Sequence, residues 1–197
     1  MYFTREEDQA FERDWWKDCA NTFGEEVKQL TYAYRMGLEV VDDGSGHWPV
    51  YDMAGKSVLD LGGGPTSILL RCRNFDRALV VDPCEYPDWV AQRYAAHGIE
   101  VMRMNAEDFP AVVNRYDEAW FYNVLQHTEN AAGIVEAARS SAKVVRCFEW
   151  LDTLSLLGHP TTLTERGMNE WLDTRGTVEW LDGYNGCYGN SYSAVTP

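Results

Sequence analysis

The chain has 197 residues, 45% of them hydrophobic and 24% charged, which suits one α/β domain with one substantial core. A formal net charge of −14 argues against a polyanionic partner, since the densest cationic stretch, Arg71-Cys72-Arg73 with Arg77 beyond, is small and interrupted by Asp76. No duplex nucleic acid is therefore expected. With no signal-like opening and no run long enough to span a bilayer, no membrane association and a reducing, cytoplasmic location are expected. The five cysteines, at 19, 72, 84, 147 and 187, are odd in number and scattered, so neither a disulfide framework nor a metal site is indicated. The aromatic load, with 8 Trp and 11 Tyr, fits either a core or a ligand pocket.

Residues 1–41 read as two helices. Phe11, Trp15, Cys19 and Phe23 recur every four positions, with Trp16 and Ala20 widening the stripe, and Gly24 reads as the break. Thr22-Phe23-Gly24-Glu25 has capping-box spacing and would open a second helix with Val27, Leu30, Tyr34 and Leu38 on one face. Two readings of these aromatics stay open: they roof a pocket, or they only dock the helices onto a sheet. Asp42 to His47 is polar and turn-rich, with His47 a solvated loop residue.

Ser57-Val58-Leu59-Asp60-Leu61 is an apolar run reaching an acid, followed by Gly62-Gly63-Gly64-Pro65. A helix is expected from Ser67 to Arg73, then a second strand from Arg77 to Val81 ending at Asp82. Asp82 lies about 20 residues past the turn, where nucleotide-binding units place an acid for ribose hydroxyls. A dinucleotide fingerprint would want glycine at position 67, where Ser67 stands, and Pro65 removes a backbone donor that a pyrophosphate would use.

Pro83-Cys84 follows the second strand, and residues 86–97 read as a helix with Trp89 and Val90 inward. Val101 to Met104 is a third strand leading into Asn105-Ala106-Glu107-Asp108-Phe109-Pro110. Asp117 to Tyr122 is a fourth strand leading into Asn123-Val124-Leu125-Gln126-His127-Thr128. A helix over 130–141 precedes a fifth strand, Lys143 to Phe148, ending at Glu149-Trp150. Beyond a loop with His159-Pro160 come a helix from Thr164 through Trp171, a strand over Val178 to Leu181, a turn at Asn185-Gly186 and an antiparallel return from Cys187 to Val195.

From about Ser57 to Trp150 the chain resembles the class I S-adenosylmethionine-dependent methyltransferases. Asp60-Leu61-Gly62-Gly63-Gly64 is similar to their first motif, Asn105-Ala106-Glu107 to their adenine-binding segment with Asn in place of the usual acid, and Asn123 to His127 to their post-strand segment. The resemblance implies a Rossmann-like seven-stranded sheet with the last strand antiparallel. It also implies one domain over 1–197, with residues 1–50 as a helical cap and substrate segment and 51–197 as the cofactor-binding core.

It further implies S-adenosylmethionine as cofactor, held by Asp60, Gly62, Gly63, Gly64, Asp82, Pro83, Asn105, Ala106, Glu107, Asn123 and Gln126. The implied reaction is methylation of an O or N atom on a small polar molecule or sugar. His127 is the first candidate base, with Glu149 and His159 next, from their places at strand ends. The Pro83-Cys84 pair follows the wrong strand for a cytosine-methylating nucleophile. The DNA amino-methyltransferase signature is missing after the fourth strand. Two alternatives stand beside this reading: a non-catalytic cofactor-binding partner subunit, and a nucleotide- or NAD-binding oxidoreductase.

Overall fold

The computed structural model describes residues 4–41, 48–110 and 115–197. The connection containing His47 lies outside the described residues. Two helices come first, α1 (Arg5–Trp16) and α2 (Thr22–Arg35). The strands are β1 (Val40–Val41), β2 (Val50–Asp52), β3 (Ser57–Leu61), β4 (Cys72–Arg73), β5 (Arg77–Asp82), β6 (Glu100–Arg103), β7 (Tyr116–Tyr122), β8 (Ala142–Trp150), β9 (Thr177–Asp182) and β10 (Tyr188–Thr196). Helix α3 (Asp88–Ala96) joins β5 to β6, α4 (Ala131–Ser141) precedes β8, and α5 (Glu165–Leu172) precedes β9.

Seven strands form one sheet in the order β6-β5-β3-β7-β8-β10-β9. The pairs among β6, β5, β3, β7 and β8 are parallel, whereas the last strand, β10, runs antiparallel to both β8 and β9. This is the expected seven-stranded arrangement. The chain steps from β3 outward to β5 and β6, then returns to β7 on the other side of β3. That reversal opens a crevice at the carboxyl ends of the strands.

Both faces of the central strands are covered, so β3, β5 and β7 are buried along most of their length, whereas the edge strands β6 and β9 are largely exposed. Side chains alternate with period two. Leu59, Leu61, Val81, Phe121 and Cys147 pack with α4 and α5, while Val58, Val80, Trp120, Tyr122 and Phe148 pack with Tyr32 and Ala33 of α2, Met36 just past its end, and Val90 and Tyr94 of α3. Asp60 and Glu118 lie on the second face and are buried. Glu118 is satisfied by Lys56, Arg146 and the Trp120 indole. Burial would raise its pKa, but those donors outweigh burial and hold it below the ordinary value.

Five local expectations are corrected. Ser67 to Arg73 is not a helix but one 3-10 turn, Ile68–Arg71, followed by β4. Thr66 to Leu70 are buried without a break, five residues that leave no wet face for an amphipathic helix. Arg71 is drawn to Glu26 of α2 at 2.7 Å, and α2 covers this face of the sheet.

The first helix ends before Gly24, at Lys17 and Cys19, which take φ of 44° and 61°, and Gly24 lies inside α2. The capping box forms at Thr4 and Glu7, while Asn21 caps α2 without a side-chain bond. The buried residues of α2 are Gln29, Thr31, Tyr32 and Ala33, with Met36 buried just past its end, leaving Tyr34 71% exposed. Trp89 also points outward, at 41% exposure, while Val90 is inward.

Candidate active site

A cleft of about 510 Å³ opens at the carboxyl ends of β3, β5, β6 and β7, beneath α1 and the start of α2. Its size is that of a small-molecule or cofactor site. Gly62, Gly63, Gly64, Asp82, Pro83, Asn105, Ala106, Glu107, Asn123, Gln126, His127 and His159 all line it. Asp60 and Glu149 are fully buried behind its wall.

The glycine turn is fixed from below. Gly62 has φ of +82°, and a side chain there would collide with Val124, its Cβ lying 2.1 Å from Cγ2. A Cβ on Gly63 would lie 2.6 Å from Asp60 Oδ2, so the acid fills the space under the turn. Asp60 Oδ2 accepts from the Ser67 and Tyr122 hydroxyls at 2.5 and 2.7 Å. Burial pushes its carboxyl up to about 7 against those two donors. The acid named for the cofactor therefore sits under the turn.

Asp82 ends β5 as expected. Its Oδ2 accepts from Gly64 N–H at 3.0 Å, and its Oδ1 from Cys84 N–H and the Tyr86 hydroxyl, each at 2.9 Å. Burial raises its pKa, opposed by these donors. Burial and the neighbouring Asp82 push the Cys84 thiol up to about 12, which leaves no thiolate nucleophile there at neutral pH.

At the end of β6, Asn105 Oδ1 accepts from Gln9 of α1 at 2.5 Å, and its Nδ2 donates to Asp108. Arg5 of α1 pairs with Glu107 and Asp108. After β7, Gln126 Nε2 donates to Asn123 Oδ1 at 2.9 Å, while Gln126 Oε1 is buried with no partner among the described residues.

Glu149 lies beneath this post-strand loop and accepts from Val124 N–H and Leu125 N–H at 3.2 Å. Burial pushes its carboxyl up to about 8 against those donors. It faces the loop backbone, not the cleft, so it positions the loop. His127 and His159 do reach the cleft, with ring centroids 4.5 Å apart. His127 Nδ1 lies 2.6 Å from the Gly158 carbonyl and 3.0 Å from Glu12, two acceptors that make it the donor. Burial would lower His127, but Glu12 and Gly158 outweigh it and hold it above its ordinary value. Burial and the adjacent His127 hold His159 below its own.

The sequence reading missed Asp8, Gln9 and Glu12, three polar residues of α1 that line the cleft. Their signal was an i, i+4 pair of acids beside the Phe11 and Trp15 stripe, a pattern a solvated helix face also shows. Trp15 is 54% exposed, while Phe11 packs so closely on Gly158 that a Cβ there would lie 2.4 Å from its ring. Among the described residues no group of three or more His, Cys, Asp or Glu is placed to hold a metal, and no helix is long and apolar enough to cross a membrane.

Known structures share this architecture. DhpI in complex with S-adenosylhomocysteine superposes with a TM-score of 0.61 at 14% identity, over 98% of this chain and 96% of that one. Magnesium protoporphyrin IX methyltransferase from Synechocystis PCC 6803, with bound S-adenosylmethionine, gives 0.58 at 15% identity, over 95% of each chain. The 1,6-didemethyltoxoflavin-N1-methyltransferase of Burkholderia thailandensis gives 0.59 at 16% identity, over 97% of this chain and 86% of that one. No protein-family model and no curated protein matches at the level of sequence. The chain thus has the class I S-adenosylmethionine-dependent methyltransferase fold.

Proposed function

We propose that this protein is an S-adenosylmethionine-dependent methyltransferase acting on an O or N atom of a small polar molecule or sugar. Residues 1–50 would be its cap and substrate segment and 51–197 its cofactor-binding core, within one domain. The observation that carries this is the convergence of Gly62 to Gly64, Asp82, Asn105 and Asn123 from four strand ends on one cleft. The five free thiols suit a reducing, cytoplasmic compartment.

The residues present fit the cofactor. A carboxylate offers about four lone-pair positions, and Asp82 uses three, leaving one for a ribose hydroxyl. Asn105 Oδ1 has one lone pair beyond the Gln9 bond for the adenine amino group, beside Ala106 and Glu107. The unpartnered Gln126 Oε1 suits the cofactor's ammonium group, with Asn123 and Pro83 completing the wall. Asp60 would act from beneath, by holding the turn.

When bound, the cofactor supplies an electrophilic methyl carbon on a positive sulfur. The chain's part is to hold an acceptor atom against that carbon and to exclude water, a proximity effect. We assign proton removal to the His127–His159 pair, with Glu149 positioning the loop that carries His127. The acidic wall would favour the positive sulfur.

Calorimetric titration with S-adenosylmethionine, and separately with NAD and ATP, tests this. Selective binding of the methyl donor with micromolar affinity is expected. A preference for NAD, or no binding of the donor, overturns it.

A further inference from the structure

The α1 wall of the cleft carries acceptors with nothing to accept. Asp8 is 3% exposed, and its Oδ1 takes Gly158 N–H at 2.7 Å. Asp8 lines the cleft, and its Oδ2 is buried with no hydrogen-bond partner among the described residues. His159 adds a second atom of this kind, its buried Nδ1, for which no hydrogen bond forms among the described residues. A buried carboxylate oxygen without a donor is costly, and the cost is relieved by a ligand that brings N–H groups.

The charges around these atoms do not balance. Asp8 and Glu12 come from α1, and Glu129 from the loop after β7. The His127 ring lies 3.0 Å from Glu12 and is the base of the proposed proton transfer, so it is not counted as a fixed cation. Arg5, the cation of α1 on this cleft, is committed to Glu107 and Asp108. Lys28, on α2, is committed to Glu25 at 2.7 Å. His159 is held below its usual range and Glu149 is pushed up to about 8, so at neutral pH neither changes this balance. Room for one more cation remains, and Phe11 and Trp16 supply aromatic walls that suit it.

Resting on the methyltransferase reading, we propose that Asp8, with Glu12 one turn along α1 and His159 opposite, forms a subsite for a protonated amine carried by the methyl acceptor. The acceptor is then a cationic, N–H-bearing small molecule, and a neutral sugar or an alcohol of the same shape is excluded. Asp8 Oδ2 and His159 Nδ1 accept from the ammonium, while Asp8 Oδ1 keeps its bond to Gly158.

The test is calorimetry on the full chain, with and without S-adenosylhomocysteine, using phenethylamine against 2-phenylethanol and benzylamine against benzyl alcohol. The amines should bind about tenfold more tightly than their alcohols, the scale of one charge-assisted hydrogen bond. Asp8→Asn keeps an acceptor for Gly158 N–H and should abolish the amine preference without changing S-adenosylhomocysteine affinity. Amines that bind no more tightly than alcohols overturn the subsite, and so does a preference that survives in Asp8→Asn. The wild-type comparison decides even if the variant does not fold. Failure of S-adenosylhomocysteine to bind, with the amine preference intact, overturns the cofactor reading and leaves the subsite standing.

Discussion

The side-chain amide of Gln9 donates to Asn105 Oδ1 at 2.5 Å, tying α1 to the end of β6 across the mouth of the cleft. Arg5 to Glu107 and Glu12 to His127 are parallel ties from the same helix. A ligand that engages Asn105 therefore also acts on the seating of α1. Asn105→Ala should weaken S-adenosylmethionine binding about tenfold, the scale of one hydrogen bond. The same variant should speed amide exchange in residues 5–16. Weaker binding with unchanged exchange would mean that α1 is held by its other contacts alone.

Asp82 serves the protein and the proposed cofactor together, since it anchors Gly64, Cys84 and Tyr86. Asp82→Ala should reduce cofactor affinity between about tenfold and a hundredfold, the range for losing hydrogen bonds to a charged group. Tyr86→Phe removes only one donor and should cost less than about fivefold. Isothermal calorimetry on both variants checks the order of effects, and equal losses would contradict it.

Two buried carboxyls give stability a definite pH dependence. Asp60 is pushed up to about 7 and Glu149 to about 8, both above their unfolded values, so the native state binds more protons than the unfolded one in between. Their contribution is fully present below the unfolded carboxyl range and is lost as pH rises through about 7 and about 8. Each group contributes a slope of up to about 1.4 kcal/mol per pH unit in that window. Urea unfolding between pH 4.5 and 8.5 should show the decline. Glu149→Gln, which keeps an acceptor for the loop N–H groups, should flatten its upper part.

The imidazole pair gives a prediction of unequal size for its two members. Removing the charge of Glu12 by Glu12→Gln should bring the His127 pKa down, since that carboxylate is what outweighs burial there. Glu12 also raises His159 directly, so the substitution removes that support while weakening the repulsion from His127, and His159 should move less than His127. Proton NMR titration of the two rings follows both shifts. A His127→Ala variant should lose most turnover while keeping cofactor affinity, and near-normal turnover would remove His127 from proton transfer.

The parallel sheet was legible because its strands are buried on both faces, so Ser57 to Leu61, Arg77 to Asp82 and Tyr116 to Tyr122 read as apolar runs whatever packs on them. Positions 62 to 64, 82, 105 and 123 were legible as cleft residues for a related reason. In such a sheet the carboxyl ends of the strands form the crevice, so finding a strand's end finds its wall. The helix expected over Ser67 to Arg73 failed where that logic stops. Five buried residues in a row, Thr66 to Leu70, carry no period, and the fold resolves Ile68–Arg71 as one tight turn under α2.

Sequence alone determined the sheet and the residues at its strand ends, because local burial patterns and glycine turns are properties of contiguous chain. Only the tertiary structure decided that Asp8, Gln9 and Glu12 face the cleft. It also decided that Asp60 and Glu149 lie behind the wall while His127 and His159 lie on it. An acid on an amphipathic helix and an acid at a strand end look alike in sequence. The seating of α1 on the segments after β6 and β7, and of the post-strand loop over Glu149, decides which carboxylate meets solvent, which meets backbone N–H groups, and which is left to receive a ligand.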